Sequence, residues 1–266
     1  MIMSGRCGYD RDPCRRTDRI KPDPAAFAPD TGHSGAHHPI GRAKGSNYLG
    51  FLDELLEEEV AHKEQRRIET ALKISGLPFI KGIDEFDFTF QPKLDRQKVM
   101  SLFDLTFVRE NGNAIFLGPP GVGKTHLAVA LALKACQSGL SIYFTTMPDL
   151  ILKLKKDHEA RRPGKGRSYY KSSLVIVDEV GYTPINREEC NLFFQFIAKR
   201  YEKASTVITS NKAFSDWAEL LQDPIIVTAI LDRLLHHSVV INIKGNSYRL
   251  KGKRIDNANQ AAKEMN

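Results

Sequence analysis

The chain has 266 residues, a formal net charge of +7 and a pI near 9.2. This length accommodates one α/β domain of ordinary size with smaller extensions, and no apolar run reaches the ~20 residues that a membrane-spanning helix needs. Its four cysteines are too scattered for a disulfide framework, and no charged-then-apolar leader opens the sequence, so a cytoplasmic protein without membrane contact is expected.

Residues 1–46 are rich in Pro, Gly, His and Arg and have no hydrophobic period, which predicts a disordered extension. Cys7 and Cys14 lie in this segment together with three histidines, a combination that raises the question of a zinc site. Six residues separate the two cysteines, whereas zinc-binding pairs are usually separated by about two to four. A metal site is therefore not expected there.

Residues 47–92 are expected to form a small helical region followed by a linker. From Asn47 to about Ile74, apolar residues at helical spacing predict an amphipathic helix. These apolar residues are Tyr48, Leu49, Leu52, Leu55, Leu56 and Val60. The alternating aromatic run at 86–92 predicts a short extended linker laid against the core. Plain packing is the favoured role of this run, and covering the adenine of a bound nucleotide is the alternative.

A glycine-rich octapeptide lies between a strand-like apolar run at 114–117 and a helix-like run at 124–137. It reads Gly118-Pro119-Pro120-Gly121-Val122-Gly123-Lys124-Thr125. At a helix N-terminus, free N–H groups and the helix dipole face a bound anion, and glycines let the backbone approach phosphate oxygens closely. Lys124 is therefore expected to contact the β- and γ-phosphates, and the Thr125 hydroxyl to ligate Mg²⁺. The pattern predicts a nucleoside triphosphate as the ligand.

Two acidic residues follow a second apolar strand. The run Leu174–Val177 ends in Asp178 and Glu179, and the carboxyl ends of parallel strands are where α/β sheets bind their ligands. Asp178 suits a magnesium-bound water, and Glu179 is placed to polarise a water aimed at the γ-phosphate. Because adjacent side chains on a strand point to opposite sides, the two acids are expected to have different roles.

Alternating strand and helix patterns fill residues 93–244, which we assign to the core. The strand and helix pairs are 114–117 with 124–137, 141–145 with 148–156, 173–178 with 188–203, and 205–209 with 227–236, and a final strand covers 239–243. This alternation predicts an α/β fold in which a parallel five-stranded sheet lies between helices.

Two polar residues beyond these motifs are further site candidates. Asn211 follows the fourth strand, where an amide would sense the γ-phosphate or orient a water, and capping of the next turn is the alternative. Arg233 stands among apolar neighbours on the last helix and would suit an arginine finger that acts on a neighbouring subunit's nucleotide. A surface ion pair with Asp232 is the alternative for Arg233.

Basic residues are concentrated in two segments. Residues 153–171 contain eight Lys or Arg and two acids, a local charge of +6, and residues 244–266 contain six and two, a local +4. We describe 245–266 as a basic C-terminal tail. Such clusters suit contacts with the phosphate backbone of DNA, and a solvated loop and tail are the alternative.

The motifs together resemble those of the IstB-like ATPases, AAA+ proteins that accompany insertion-sequence transposases and are related to the DnaC helicase loaders. The similarity extends from about Tyr48 to Lys253. It includes the octapeptide with His126 and Leu127, the run Val177–Tyr182, Arg200-Tyr201-Glu202, Thr209-Ser210-Asn211, Leu231–His237 and Lys244–Leu250. The resemblance adds His126 to the nucleotide-binding residues 118–125. It implies magnesium contacts at Thr125 and Asp178, and catalytic roles for Lys124, Glu179, Asn211 and Arg233.

The resemblance also implies a function. Such a protein would bind ATP and Mg²⁺, assemble as a homo-oligomer on double-stranded DNA, and recruit or stimulate its cognate transposase. Its ATPase activity would be stimulated by DNA, and hydrolysis would release the assembly. A DnaC-like replicative helicase loader is the alternative. Two departures from the family pattern are the proline-rich residues 1–46 and the lack of a helical lid or a second sensor arginine after Ile243.

Overall fold

A computed structural model describes residues 48–160 and 168–250 of the chain. The expectations for the extension at 1–46, for Cys7 and Cys14, and for the basic residues within 161–167 and beyond 250 lie outside the described residues. Within these two ranges, no helix is both long enough and apolar enough to cross a membrane.

A parallel five-stranded sheet forms the centre of the described chain. The strands are β1 (Asn113–Leu117), β2 (Ile142–Thr146), β3 (Leu174–Val180), β4 (Ser205–Ser210) and β5 (Ser238–Asn242). Their spatial order is β2-β3-β4-β1-β5, and every neighbouring pair is parallel. Parallel neighbours need crossover connections, which the helices between the strands provide. The predicted α/β fold with five parallel strands is confirmed.

Helices cover both faces of this sheet. They are α1 (Tyr48–Ser75), α2 (Arg96–Leu102), α3 (Thr106–Arg109), α4 (Lys124–Gln137), α5 (Met147–Glu159), α6 (Ser168–Lys171), α7 (Arg187–Arg200), α8 (Trp217–Leu220) and α9 (Pro224–His236). Along β1, Ala114 and Phe116 pack with α4 in one hydrophobic cluster. Ile115 and Leu117 point the other way, into a cluster with α5, α7 and α9. This alternation buries both faces of the sheet, as expected for a parallel sheet.

Local capping signals set the ends of the longer helices. Asn186 and Glu189 form a reciprocal capping box at the start of α7. The Asp223 side chain caps α9, and Pro224 occupies its first turn, so α9 begins three residues before the predicted start at 227. Helix α7 ends at Arg200 rather than at 203, because Tyr201 leaves the helical conformation with ψ 126° and Glu202 then adopts a left-handed backbone with φ 57°.

The N-terminal region departs from the expectations in two ways. Helix α1 is present, but its first apolar residues lie in solvent, and it packs on the core only near its end, through Ile68, Ala71 and Leu72. The linker is not extended. It forms two 3₁₀ turns, Ile83–Glu85 and Phe88–Phe90, because the Asp87 carboxylate accepts hydrogen bonds from two N–H groups of the second turn.

Candidate nucleotide-binding site

The glycine-rich loop joins β1 to α4 at the carboxyl edge of the sheet, as predicted. Gly118, Gly121 and Gly123 have φ values of 147°, 80° and 100°, a region that residues with a side chain rarely adopt. A Cβ on Gly118 would also lie 2.3 Å from the carbonyl oxygen of Ile243. The loop backbone can therefore take this shape only with glycine, and it leads directly into the N-terminus of α4 at Lys124.

Lys124 and Thr125 are the last two residues of the glycine-rich octapeptide and the first two of α4. The Lys124 ammonium donates hydrogen bonds of 2.8 Å to the carbonyl oxygens of Gly118 and Pro119. Burial lowers the pKa of Lys124, and the charge of Asp178 acts in the opposite direction. The Thr125 hydroxyl oxygen is 3.1 Å from both carboxylate oxygens of Asp178. A hydroxyl beside a carboxylate is a set of hard oxygen donors, which fits Mg²⁺.

Both predicted acids line the same cavity, which has a volume of about 780 Å³. Strict alternation would send Glu179 away from Asp178, but Glu179 has φ 62° and lies in a β-bulge. The expectation that the two side chains point to opposite sides of the sheet is therefore wrong at this position. Burial first, and the Asp178 charge second, raise the pKa of the Glu179 carboxyl, whereas Asp178 itself is buried against Thr125.

The end of β4 brings three more residues to the cavity, Thr209, Ser210 and Asn211. Asn211 lines it, and its side-chain oxygen is buried without a hydrogen-bond partner in the described chain. The Ser210 hydroxyl, rather than Asn211, accepts the N–H of Lys212 in the following turn. Thr209, for which no role was predicted from the sequence, donates a short hydrogen bond to Asp178 and accepts the N–H of Glu179.

Residues 244–250 fold back over the glycine-rich loop instead of forming the start of a loose tail. The Tyr248 N–H donates to the carbonyl oxygen of Gly121 at 2.9 Å, and the Gln91 side chain donates to the carbonyl oxygen of Asn246 at 3.1 Å. This places Arg249 among the cavity residues, where its charge acts on Lys124 and Glu179. The expectation that the chain after Ile243 offers no candidate for a second sensor arginine is therefore wrong.

The other end of the cavity is aromatic and apolar. Pro78, Phe79 and Phe86 line it together with His126. The His126 ring meets the Phe86 ring edge-on at 5.5 Å between centroids, and its Nε2 is 3.0 Å from the carbonyl oxygen of Gly82. Part of the aromatic linker thus borders the cavity, while Phe86 is also buried in the core cluster that contains α4, so contact with an adenine stays a prediction.

Arg233 lies outside this cavity. Its guanidinium donates to the carbonyl oxygen of Ala229 at 2.8 Å and lies 4.9 Å from the centroid of the Phe194 ring. A pair with Asp232 is not among the described contacts of Arg233. Arg233 is part-buried on α9 and does not reach the nucleotide cavity of its own chain, so action on a neighbouring subunit stays a prediction.

The described lysines of the first basic segment lie on α5, except for the exposed Lys171 at the end of α6. Lys153 lies 5.2 Å from the centroid of the Tyr143 ring, and Lys156 is exposed. Lys155 is paired with Glu189 at 2.7 Å. Among the described residues, Lys155 therefore forms an ion pair with a carboxylate, whereas Lys153 and Lys156 do not.

The sheet, the glycine-rich loop and the acids at the end of β3 define a P-loop nucleotide-binding protein of the AAA+ class. A sequence profile described as "IstB-like ATP binding protein" matches residues 39–256, so the chain belongs to this family. The chain is 50% identical over 214 residues to the ATP-binding protein of insertion sequence IS21 from Pseudomonas aeruginosa, covering 79% of this chain and 80% of that protein.

Two further comparisons agree with this membership. The chain is 44% identical over 215 residues to the ATP-binding protein of insertion sequence IS5376 from Geobacillus stearothermophilus, covering 80% of this chain and 86% of that protein. AMPPCP-bound DnaA from Aquifex aeolicus matches the fold with a TM-score of 0.51 at 18% identity, over 67% of this chain and 55% of that chain. The predicted family and fold are thereby confirmed.

Proposed function

We propose that this protein is an ATPase that assembles as a homo-oligomer on double-stranded target DNA and there recruits or stimulates its transposase. Hydrolysis of ATP releases the assembly. One observation carries the ATPase part: Lys124, Asp178, Glu179, Asn211 and Arg249 converge on one cavity beside the glycine-rich loop. The names of the relatives, which are ATP-binding proteins of insertion sequences, support the transposition part.

The residues divide the chemistry of hydrolysis among them. Glu179 is the group that accepts a proton from the attacking water, since a raised pKa makes a carboxylate a better base. The Asn211 amide orients that water or contacts the γ-phosphate. Lys124 and Arg249 compensate the negative charge of the phosphates from two sides. Mg²⁺ held by Thr125 and Asp178 would neutralise phosphate charge when bound.

Hydrolysis measured with and without DNA tests the proposal. The wild type is expected to hydrolyse ATP faster with duplex DNA and to form oligomers with ATP, seen by light scattering after gel filtration. Glu179→Gln should hydrolyse slowly yet stay bound to DNA. Glu188→Gln is the matched control, because Glu188 is an exposed carboxylate on α7 outside the cavity. Equal hydrolysis with and without DNA, together with no oligomer, would refute the proposal.

DNA binding is tested separately through the basic segment on α5. Lys156→Gln should weaken duplex binding equally for all sequences and reduce the slope of log affinity against log salt by about one. Lys98→Gln is the control, because Lys98 donates to the carbonyl oxygen of Val240 and lies outside both basic segments. An unchanged salt slope for Lys156→Gln would remove α5 from the DNA interface.

The helicase-loader alternative is distinguished by its partner. In that case the chain would bind a replicative hexameric helicase and leave strand transfer by its transposase unchanged. The two relatives described above are named for insertion sequences, and this favours the transposase as the partner.

A further inference from the structure

The bulge in β3 places two consecutive acids opposite a single residue of β4. Val177 is paired with Ile208 and Val180 with Ser210, so Asp178 and Glu179 both lie opposite Thr209. A bulge of two residues against one bends its strand and re-aims side chains, and such bulges are frequent beside active sites. Glu179 has φ 62°, a left-handed conformation that is uncommon for residues other than glycine. Interactions around the bulge must therefore stabilise it.

The Thr209 hydroxyl contacts both bulged residues. It accepts a hydrogen bond of 3.1 Å from the N–H of Glu179 and donates a short one to Oδ1 of Asp178. One hydroxyl supplies a donor and two acceptor lone pairs, so both bonds form at once. Thr209 is 1% exposed, so water does not replace these bonds readily when the hydroxyl is removed.

We propose that Thr209 is a positioning residue for ATP hydrolysis. Its hydroxyl fixes the Asp178 carboxylate against Thr125 and holds the backbone of Glu179 in the conformation that turns this carboxylate into the cavity. The inference rests on the proposed ATPase function. It goes beyond that function by assigning a role to a residue that need not touch the nucleotide.

Two substitutions separate the hydroxyl from the volume of the side chain. Thr209→Val keeps the shape but leaves the Glu179 N–H without its acceptor and Asp178 with one donor fewer. Thr209→Ser keeps the hydroxyl. Loss of a residue that orients metal and catalytic ligands costs about 10–100-fold in activity or metal affinity. We expect Thr209→Val to lower kcat by about 10–100-fold, and Thr209→Ser to stay within about threefold of the wild type.

A structural role alone would produce a different pattern. Positioning predicts that Thr209→Val raises the Mg²⁺ concentration for half-maximal activity but changes the Kd for ATP less than about threefold. Thr206→Val is the matched control on the same strand. Thr206 is 2% exposed, and its hydroxyl accepts from Arg200 rather than contacting the acids. Melting temperatures are measured for every variant, and equal losses of kcat and melting temperature in Thr209→Val and Thr206→Val would overturn the inference.

A double substitution completes the experiment. Because Thr209 acts through both acids, the rates are compared at saturating Mg²⁺, which compensates for a weakened metal site at Asp178. Under this condition, Thr209→Val added to Glu179→Gln should lower the residual rate by less than about threefold, far less than in the wild-type background. Losses that multiply independently would overturn the positioning role. If the wild type hydrolyses no ATP, the proposed function fails and the inference fails with it. If the wild type is active and Thr209→Val matches it, only the inference fails.

Discussion

Replacing Arg200 by methionine tests how a buried charge at the end of α7 is stabilised. Arg200 is 2% exposed. Its guanidinium donates to the Thr206 hydroxyl at 3.2 Å and to the carbonyl oxygens of Tyr169 at 3.3 Å, Ser172 at 3.0 Å and Ser205. These bonds join α7 to the segments that enter β3 and β4. Methionine keeps much of the side-chain length but removes every donor.

The magnitudes of two opposing effects decide the outcome. Burial lowers the pKa of Arg200 to about 10 from the ordinary value of 12.5, which corresponds to a cost of roughly 3 kcal/mol for burying the charge. Hydrogen bonds to a charged donor contribute about 1.5–3 kcal/mol each, so these four contribute at least ~6 kcal/mol. The hydrogen bonds therefore exceed the cost, and Arg200→Met should destabilise the protein by about 3 kcal/mol or more.

Far-ultraviolet circular dichroism during urea and thermal unfolding measures this loss, which should lower the melting temperature by about 6–12 °C. Lys199→Met is the matched control on the neighbouring position. Lys199 is exposed and lies 4.7 Å from the centroid of the Tyr170 ring, so its loss should cost less than about 1 kcal/mol. If Arg200→Met is as stable as the wild type, the cost of burying the charge equals or exceeds its hydrogen bonds and the reasoning fails.

Three further predictions concern the nucleotide site. Lys124→Ala should abolish ATP binding, and wild-type affinity in filter binding with labelled ATP would contradict its assigned role. The Arg233→Ala variant should bind ATP but not hydrolyse it. Mixing it with Lys124→Ala subunits, which supply the arginine, should restore ATP hydrolysis. If the mixture stays inactive, Arg233 has a structural role only. Since the pKa of Glu179 is raised and a base must be deprotonated, kcat should fall as pH drops through a value above the ordinary ~4.3 for glutamate. A kcat that stays constant down to pH ~4.3 would argue against Glu179 as the base.

The parts of the site that local sequence determines were predictable. The glycine-rich loop lies between an apolar strand and a helix that are continuous in sequence, so residues 118–125 indicate both its place and its ligand. The position of Asp178 was equally predictable, because acids that follow an apolar strand lie at the carboxyl edge of a parallel sheet. Asn211 followed from the same rule, and the structure brings it to the same cavity.

The parts that depend on contacts between distant segments were not predictable from these patterns. Nothing in the run 174–180 indicates that Glu179 adopts a left-handed backbone, because the bulge is defined by pairing with β4. Arg249 was assigned to a tail, since its basic neighbours suggested solvent exposure. Its return to the glycine-rich loop depends on bonds from Tyr248 to Gly121 and from Gln91 to Asn246. The signal in the sequence was that Arg249 lies in the run Ser247-Tyr248-Arg249, within the stretch Lys244–Leu250 that resembles the IstB-like family.

Residues 244–250, which fold back over the glycine-rich loop, contribute to the nucleotide site but not to the strands of the sheet. The last strand ends at Asn242, so a chain that stopped at Lys244 would still contain all five strands. It would lack Tyr248 and Arg249, which close the cavity over the glycine-rich loop. A chain truncated within these few residues is therefore expected to keep the five strands and to lose part of the lining of the nucleotide site. Under the proposed homo-oligomeric function, a truncated chain of this kind that still associated with full-length subunits is expected to inhibit them.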